Sequence, residues 1–198
     1  IGYMLEYLLI NKKGAVMLLA LAGVTGIGKT FLAEEIEREL SFKKIHTIRT
    51  REIRNGEING KTGFFISTDE LEKLKNNGKV IYDFEVFENR YAYLKDEILE
   101  KGNHVLEIYY TTIYEWKEIV PEMKTIYILP TNIEKAIEKL KERNLEKCKE
   151  EKRIAEIKEQ YKEFINNKSL QKEFDYILYN DYTKESRDKI INLIKTMM

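Results

Sequence analysis

A three-layer α/β fold, with a mostly parallel sheet between helices, is predicted by three observations. Short apolar runs alternate with stretches of helical periodicity along most of the chain, the order that wraps a parallel sheet. The first run, from Met17 to Ala22, is continuously apolar, as a strand covered on both faces must be. Only two prolines occur in 198 residues, and long runs of Glu and Lys favour helix. This length fits one domain of ordinary size.

Lys12 and Lys13 ahead of the first run imitate a secretory leader. The run leads directly into a glycine-rich turn, however, and is needed there as a buried strand. Residues 1–16 are therefore set aside as an N-terminal extension, with the native start expected near Met17. A helix follows over 31–40, with Phe31, Leu32, Ile36 and Leu40 at helical spacing. From 47 to 93 the texture changes to glycines, short β-like pieces such as 63–67 and one helix at about 69–76, which predicts a small inserted lobe. The core, 17–46 and 94–198, resumes with a helix at about 93–101, stopped by Gly102. Strands at 105–110 and 124–129, helices at about 133–143 and 149–164, a strand at 176–179 and a closing helix at about 186–198 complete the alternation.

Gly23, Val24, Thr25, Gly26, Ile27, Gly28, Lys29 and Thr30 match G-x-x-x-x-G-K-[ST] at every fixed position, between a predicted strand and a predicted helix. Glycines let backbone N–H groups turn inward around phosphate oxygens, and the helix directs its positive end at the anion. Lys29 is placed to reach the β- and γ-phosphates of ATP and the Thr30 hydroxyl to bind Mg²⁺. The loop alone does not separate kinases from other nucleotide hydrolases and motors.

The lobe opens with Thr47, Arg51, Arg54, Glu57 and Gly60, two arginines three residues apart beside a glycine-rich turn. Paired guanidinium forks suit a phosphate; the charges alone fit a solvated basic turn equally well. This stretch is similar to the guanylate kinase pattern T-T-R-x-x-R-x-G-E-x-x-G. The likeness continues in family order through 63–67, Glu70, Tyr91, Gly102, Glu107, Pro130, Lys139 to Arg143, Arg153 and Asn180, covering nearly everything from Met17 onward.

The resemblance implies a P-loop kinase with an inserted lobe for a nucleoside monophosphate and a short lid at about 141–155. It further implies transfer of the γ-phosphoryl group of ATP to GMP or dGMP, with Mg²⁺. Position by position, Arg51 and Arg54 hold the acceptor phosphate with Tyr91 assisting, and Thr47 offers a hydroxyl to the base. Glu107 lies near base and metal, Arg143 and Arg153 close over the transferring group, and Asn180 borders the adenine. Without the resemblance, the Lys- and Glu-rich stretch from 139 to 152 reads as ordinary helix surface.

Three departures stand out. The family's tyrosine after the G-x-x-G turn falls at Gly63, its guanine-reading glutamate at Tyr82 and a second acidic residue at Tyr109. Tyr82 thus occupies an acceptor-binding position without the two-acceptor edge of a carboxylate. Asp83 and Glu85 are the nearest replacements, one disfavoured by facing and the other by distance. A kinase of this fold for another nucleotide or a phosphorylated sugar, and a non-catalytic guanylate-kinase-like binding module, stay open as alternatives.

Composition excludes other classes. Lys plus Arg and Asp plus Glu balance at 34 each, so no overall positive charge draws the chain to nucleic acid. No membrane span is expected, and the partners are small nucleotides, with the chain a monomer or homodimer. One cysteine, Cys148, cannot form an internal disulfide and suggests a cytoplasmic setting. His46 and His104 lack the partners of a zinc site. Trp116, with Tyr110, Tyr114 and Ile119, reads as packing.

Overall fold

The computed structural model describes residues 17–54, 56–86 and 88–198; the expected N-terminal extension lies outside them. The chain runs β1 (Leu18–Gly23), α1 (Lys29–Leu40), β2 (Lys43–Lys44), β3 (Ile48–Arg49), β4 (Phe64–Phe65), α2 (Thr68–Asn76), β5 (Val80–Val86), β6 (Asn89–Leu94) and α3 (Lys95–Leu99). It continues through β7 (His104–Glu107), α4 (Ile113–Ile119), β8 (Lys124–Pro130), α5 (Ile133–Lys141), α6 (Lys147–Asn166), α7 (Lys168–Lys172), β9 (Tyr176–Asn180) and α8 (Lys184–Met197).

Five strands form one sheet in the order β2-β7-β1-β8-β9, every pairing parallel. All six residues of β1 are buried, and alternate side chains serve different layers. Leu18, Ala20 and Ala22 join the core holding Trp116, Tyr127, Leu129 and Phe164. Leu19 and Leu21 join the opposite core with Leu32, Ile36, Val105, Ile190 and Ile194. A strand so enclosed reads as an unbroken apolar run, and each of its leucines stabilises by about 1.5–3 kcal/mol. The fold is thus α/β in three layers.

A second sheet, β4-β3-β6-β5, is built from residues 48–94. β3 pairs with β4 in parallel and with β6 antiparallel, and β5 pairs with β6 antiparallel. Its own small core is Ile48, Leu71 and Ala92 under Phe64, Ile66, Leu74, Val80 and Leu94. Helix α2 starts at a capping box, in which the Ser67 hydroxyl accepts from the Glu70 N–H and the Glu70 carboxylate accepts from the Ser67 N–H.

Several expectations are corrected. Phe31 is 55 % exposed, because the buried stripe of α1 is Leu32, Ala33, Ile36 and Leu40. Tyr93 lies in β6, not in a helix, with its ring buried against Trp116. The strand expected to reach Tyr110 stops at Glu107, and Tyr110–Thr112 form a 3₁₀ turn. Trp116 and Tyr110 are buried but Tyr114 faces outward. Among the described residues no helix is long and apolar enough to cross a membrane.

Candidate functional site

Parallel sheets place ligands beyond the carboxyl ends of their strands. Here those ends are Glu107 of β7 and Gly23 of β1 on neighbouring strands, with Pro130 of β8 and Asn180 of β9 next in order. Gly23 sits at φ 147°, and a Cβ there would come within 2.4 Å of the Ile128 carbonyl oxygen, so only glycine lets the loop leave β1 so close to β8. Val24 and Ile27 are wholly buried and anchor the loop in the core beneath α1.

The loop is braced by distant parts of the chain. Its Thr25 N–H donates to Gln160 Oε1 at 2.8 Å, from α6. The buried Asn180 donates through Nδ2 to the Ile27 carbonyl at 2.8 Å and accepts from the Tyr182 N–H and the Ser186 hydroxyl. The Tyr182 hydroxyl donates to the Gly26 carbonyl at 3.3 Å. Asn180, expected beside the adenine, therefore uses its side chain to hold the loop from behind.

Lys29 turns back into the loop and donates to the Gly23 and Val24 carbonyls at 2.8 and 3.1 Å. Desolvation lowers its ammonium to about 8, opposed by the Glu107 carboxylate and reinforced by the charge of Arg143. The Thr30 hydroxyl lies 3.0 Å from Glu107 Oε2. A hydroxyl and a carboxylate that close suit a hard cation with the rest of its shell from phosphate and water. No cluster of three or more His, Cys, Asp or Glu able to hold a metal occurs among the described residues.

The second sheet contributes a cationic clamp. Glu57 accepts from Arg51 at 2.7 and 2.6 Å, from Arg49 at 3.3 Å and from the Arg54 N–H at 2.8 Å. Burial alone would raise the Glu57 carboxyl, but the Arg51 hydrogen bonds, the Arg54 N–H and the charges of Arg51 and Arg49 hold it at about 2. Burial would lower the Arg51 guanidinium, yet its pairing with Glu57 and the Tyr91 hydroxyl beside it raise it. Both Arg49 and Arg51 also lie over the Phe65 ring, at 5.5 and 5.3 Å.

Arg54 experiences the opposite environment. Burial, then the neighbouring charges of Arg153 and Arg51, lower its guanidinium to about 10. Arg153, on α6, donates to Glu156 at 2.6 Å, and its charge is felt by Arg54. Arg143, in the exposed turn after α5, is the cation felt by Lys29. Six cationic side chains thus influence this region: Lys29 after the loop, Arg49, Arg51 and Arg54 of the second sheet and its following turn, Arg143 in the turn after α5 and Arg153 on α6. Buried Arg51 Nε has no partner among the described residues, an orphan donor at the centre of the clamp.

A model of the guanylate kinase family matches residues 15–197. The chain belongs to the guanylate kinase family. It is 31 % identical over 190 residues to the guanylate kinase of Clostridioides difficile (strain 630), covering 93 % of this chain and 89 % of that one. Identity to the guanylate kinase of Caldanaerobacter subterraneus subsp. tengcongensis is 32 % over 190 residues, with 93 % and 88 % covered. Among solved structures, guanylate kinase from Anaplasma phagocytophilum aligns with a TM-score of 0.67 at 22 % identity over 91 % of this chain and 85 % of that one. Shikimate kinase from Bacteroides thetaiotaomicron aligns with a TM-score of 0.51 at 13 % identity, covering 91 % and 97 %. These two likenesses concern the fold.

Within this guanylate kinase family member the remaining expected positions are distributed unevenly. Tyr91 lies beside Arg51, and Glu107 beside Thr30. Thr47 is 7 % exposed, just ahead of β3, and its carbonyl accepts from the Phe64 N–H at 3.1 Å. Tyr82 is half-buried, stacked on Phe84 and edge-on to Trp116. Asp83 cannot replace the missing glutamate, since it is paired with Lys75 at 2.9 Å and Arg90 at 2.6 Å on the face away from Tyr82 and Phe84. Glu85 shares that outer face and is exposed.

Sequence reasoning named Glu57 without giving it a role and missed Arg49, Gln160 and Tyr182. The signal for Arg49 lay in Gly63: a Cβ there would meet Arg49 Nη1 and the Thr47 carbonyl at 3.0 Å, so the arginine fills room that a side chain at 63 would take.

Proposed function

We propose that this guanylate kinase family member is an ATP-dependent nucleoside monophosphate kinase that transfers the γ-phosphoryl group to GMP or dGMP, yielding ADP and the diphosphate. The observation that carries this reading is the orphan Arg51 Nε within a cluster of three arginines around Glu57. An acceptor phosphate supplies the missing oxygen, and Arg54, lowered by burial and then by its like-charged neighbours, gains a second anion.

ATP rests on residues 23–30, with backbone amides and Lys29 around its phosphates. Arg51 and Arg54, with Tyr91, hold the acceptor so that its phosphate oxygen faces the γ-phosphorus in line. That oxygen is already ionised, so no general base is required; positioning and charge neutralisation carry the reaction. Lys29, Arg143 and Arg153 offset the charge that spreads over the transferring group. The segment at about 141–155 acts as the lid that brings the last two into place and excludes water. Thr30 and Glu107 would hold Mg²⁺, which would supply positive charge to the reacting phosphates. The exposed, unpaired Cys148 fits a reducing cytoplasm.

The test is ADP release from ATP and Mg²⁺ on adding GMP. Saturable, GMP-dependent release is expected, and Arg51→Ala is expected to lower kcat/KM about 100-fold with ATP affinity unchanged. ATP binding without release on any monophosphate would overturn the kinase reading in favour of a binding module.

A further inference from the structure

Beyond the clamp, an acceptor meets a wall of rings. Phe84 of β5 lies nearly parallel to Tyr82 (5.8 Å between centroids, 19°), Tyr91 (5.4 Å, 18°), Tyr93 (6.5 Å, 17°) and Tyr109 (6.3 Å, 19°). Trp116 backs them, edge-on to Tyr82 at 5.4 Å and to Tyr93 at 4.9 Å. One end of the wall is Tyr91, beside Arg51. The other reaches the end of β7, where the Tyr93 hydroxyl donates to the Glu107 carbonyl at 2.6 Å. A nucleotide whose phosphate rests on Arg51 and Arg54 therefore lays its base against these rings.

Purines differ in hydrogen-bonding edge, not in ring face. Guanine presents an N1–H and a 2-amino group, hypoxanthine keeps the N1–H alone, and adenine offers an acceptor at N1. Strong selection among them requires a buried polar group that the wrong base leaves unpaired. A carboxylate would take both guanine donors at once. The carboxylates around the wall are committed elsewhere: Asp83 to Lys75 and Arg90, Glu107 to Thr30, Glu156 to Arg153, and Glu163 to the Tyr110 hydroxyl. Glu115, whose charge reaches Tyr82, is exposed on α4. What faces the base is phenol and ring, and a phenol hydroxyl donates as readily as it accepts.

Resting on the kinase reading above, we propose that the acceptor is selected by its phosphate and by stacking, so that the enzyme turns over the monophosphates of guanine, hypoxanthine and adenine with little preference. Arg49, Arg51 and Arg54 crowd one end of the site, while at the other the Glu107 carboxylate is turned to Thr30 and Glu115 is exposed on α4.

The experiment is steady-state kcat/KM with GMP, IMP and AMP under saturating ATP and Mg²⁺. Values within about tenfold of one another are expected, and Tyr82→Glu, which sets a carboxylate on the wall, is expected to raise the GMP-to-IMP ratio at least about tenfold. A wild-type preference for GMP over IMP of about 100-fold or more overturns the proposal while leaving the kinase reading intact, and that ratio decides even if the variant does not fold. A folded variant with an unchanged ratio overturns the placement of the base on Tyr82. Absence of turnover with all three overturns the kinase reading itself.

Discussion

Replacing Glu57 by Gln removes the anion around which three arginines are arranged. Wild-type Glu57 is held at about 2 against an ordinary carboxyl near 4.5, and a gap of that size is worth at most about 3.4 kcal/mol. The Glu57 side chain is 20 % exposed and that of Arg51 10 %, so solvent screening lowers the figure to roughly 1–2 kcal/mol. For a chain of this length the thermal midpoint is then expected to fall by roughly 2–8 °C. The pH dependence has a definite sign. A carboxyl depressed by folding contributes stability that is complete above its unfolded pKa and is lost as pH falls toward its folded one. The difference between wild type and Glu57→Gln should accordingly be full at about pH 7 and narrow progressively below about pH 4.5. Urea unfolding at the two ends of that range measures it. The same change frees the Arg51 fork, so the acceptor KM is expected to rise about tenfold while the KM for ATP stays put. Equal stabilities at neutral pH together with an unchanged acceptor KM would refute the idea that Glu57 preorganises the clamp.

Three further outcomes follow from the geometry. Lys29, lowered to about 8 by burial, loses its charge as pH rises, so ATP affinity measured by titration should fall about tenfold between about pH 7 and pH 9, and Lys29→Met should flatten that profile. Asn180→Ala leaves the Ile27 carbonyl, the Tyr182 N–H and the Ser186 hydroxyl without their partner, which should cost about 1–3 kcal/mol in urea unfolding and raise the KM for ATP. Gly63→Ala presses a Cβ against the Thr47 carbonyl and Arg49 at a φ of 155°; destabilisation of about 1–3 kcal/mol is expected, with the acceptor KM raised and the ATP KM unchanged.

What could be read from the residue order was local. The phosphate loop carries its meaning in eight consecutive residues, and the strand before it announces its burial by unbroken apolarity. Arg51 and Arg54 were legible as a candidate pair because their spacing and the adjacent glycines lie within one short stretch. Features that depend on contacts across the fold were not. Phe31 sits at a helical spacing with Leu32 and Ile36, but periodicity does not say where the apolar stripe ends, and the ring turns to solvent. Tyr93 reads as a helix start until β3 and β5 are placed on either side of β6. Gln160 hides in a helix of alternating Lys and Glu, where nothing distinguishes it until the loop arrives 135 residues away in sequence. Arg49 and Gly63 were visible separately; only packing shows that one occupies the space left by the other.

The bracing of the phosphate loop also sets an order of events during synthesis. Its three outside supports, Gln160, Asn180 and Tyr182, stand 135, 153 and 156 residues beyond the groups they hold. The motif leaves the ribosome among the earliest of the described residues, yet it stays unsupported until β9 has joined the edge of the sheet. A nascent chain stalled before Asn180 is therefore expected not to retain ATP on an affinity matrix, whereas the released chain does. Nucleotide capture then reports completion of the fold, because an early stretch of the chain receives its supports from some of the last residues to be made.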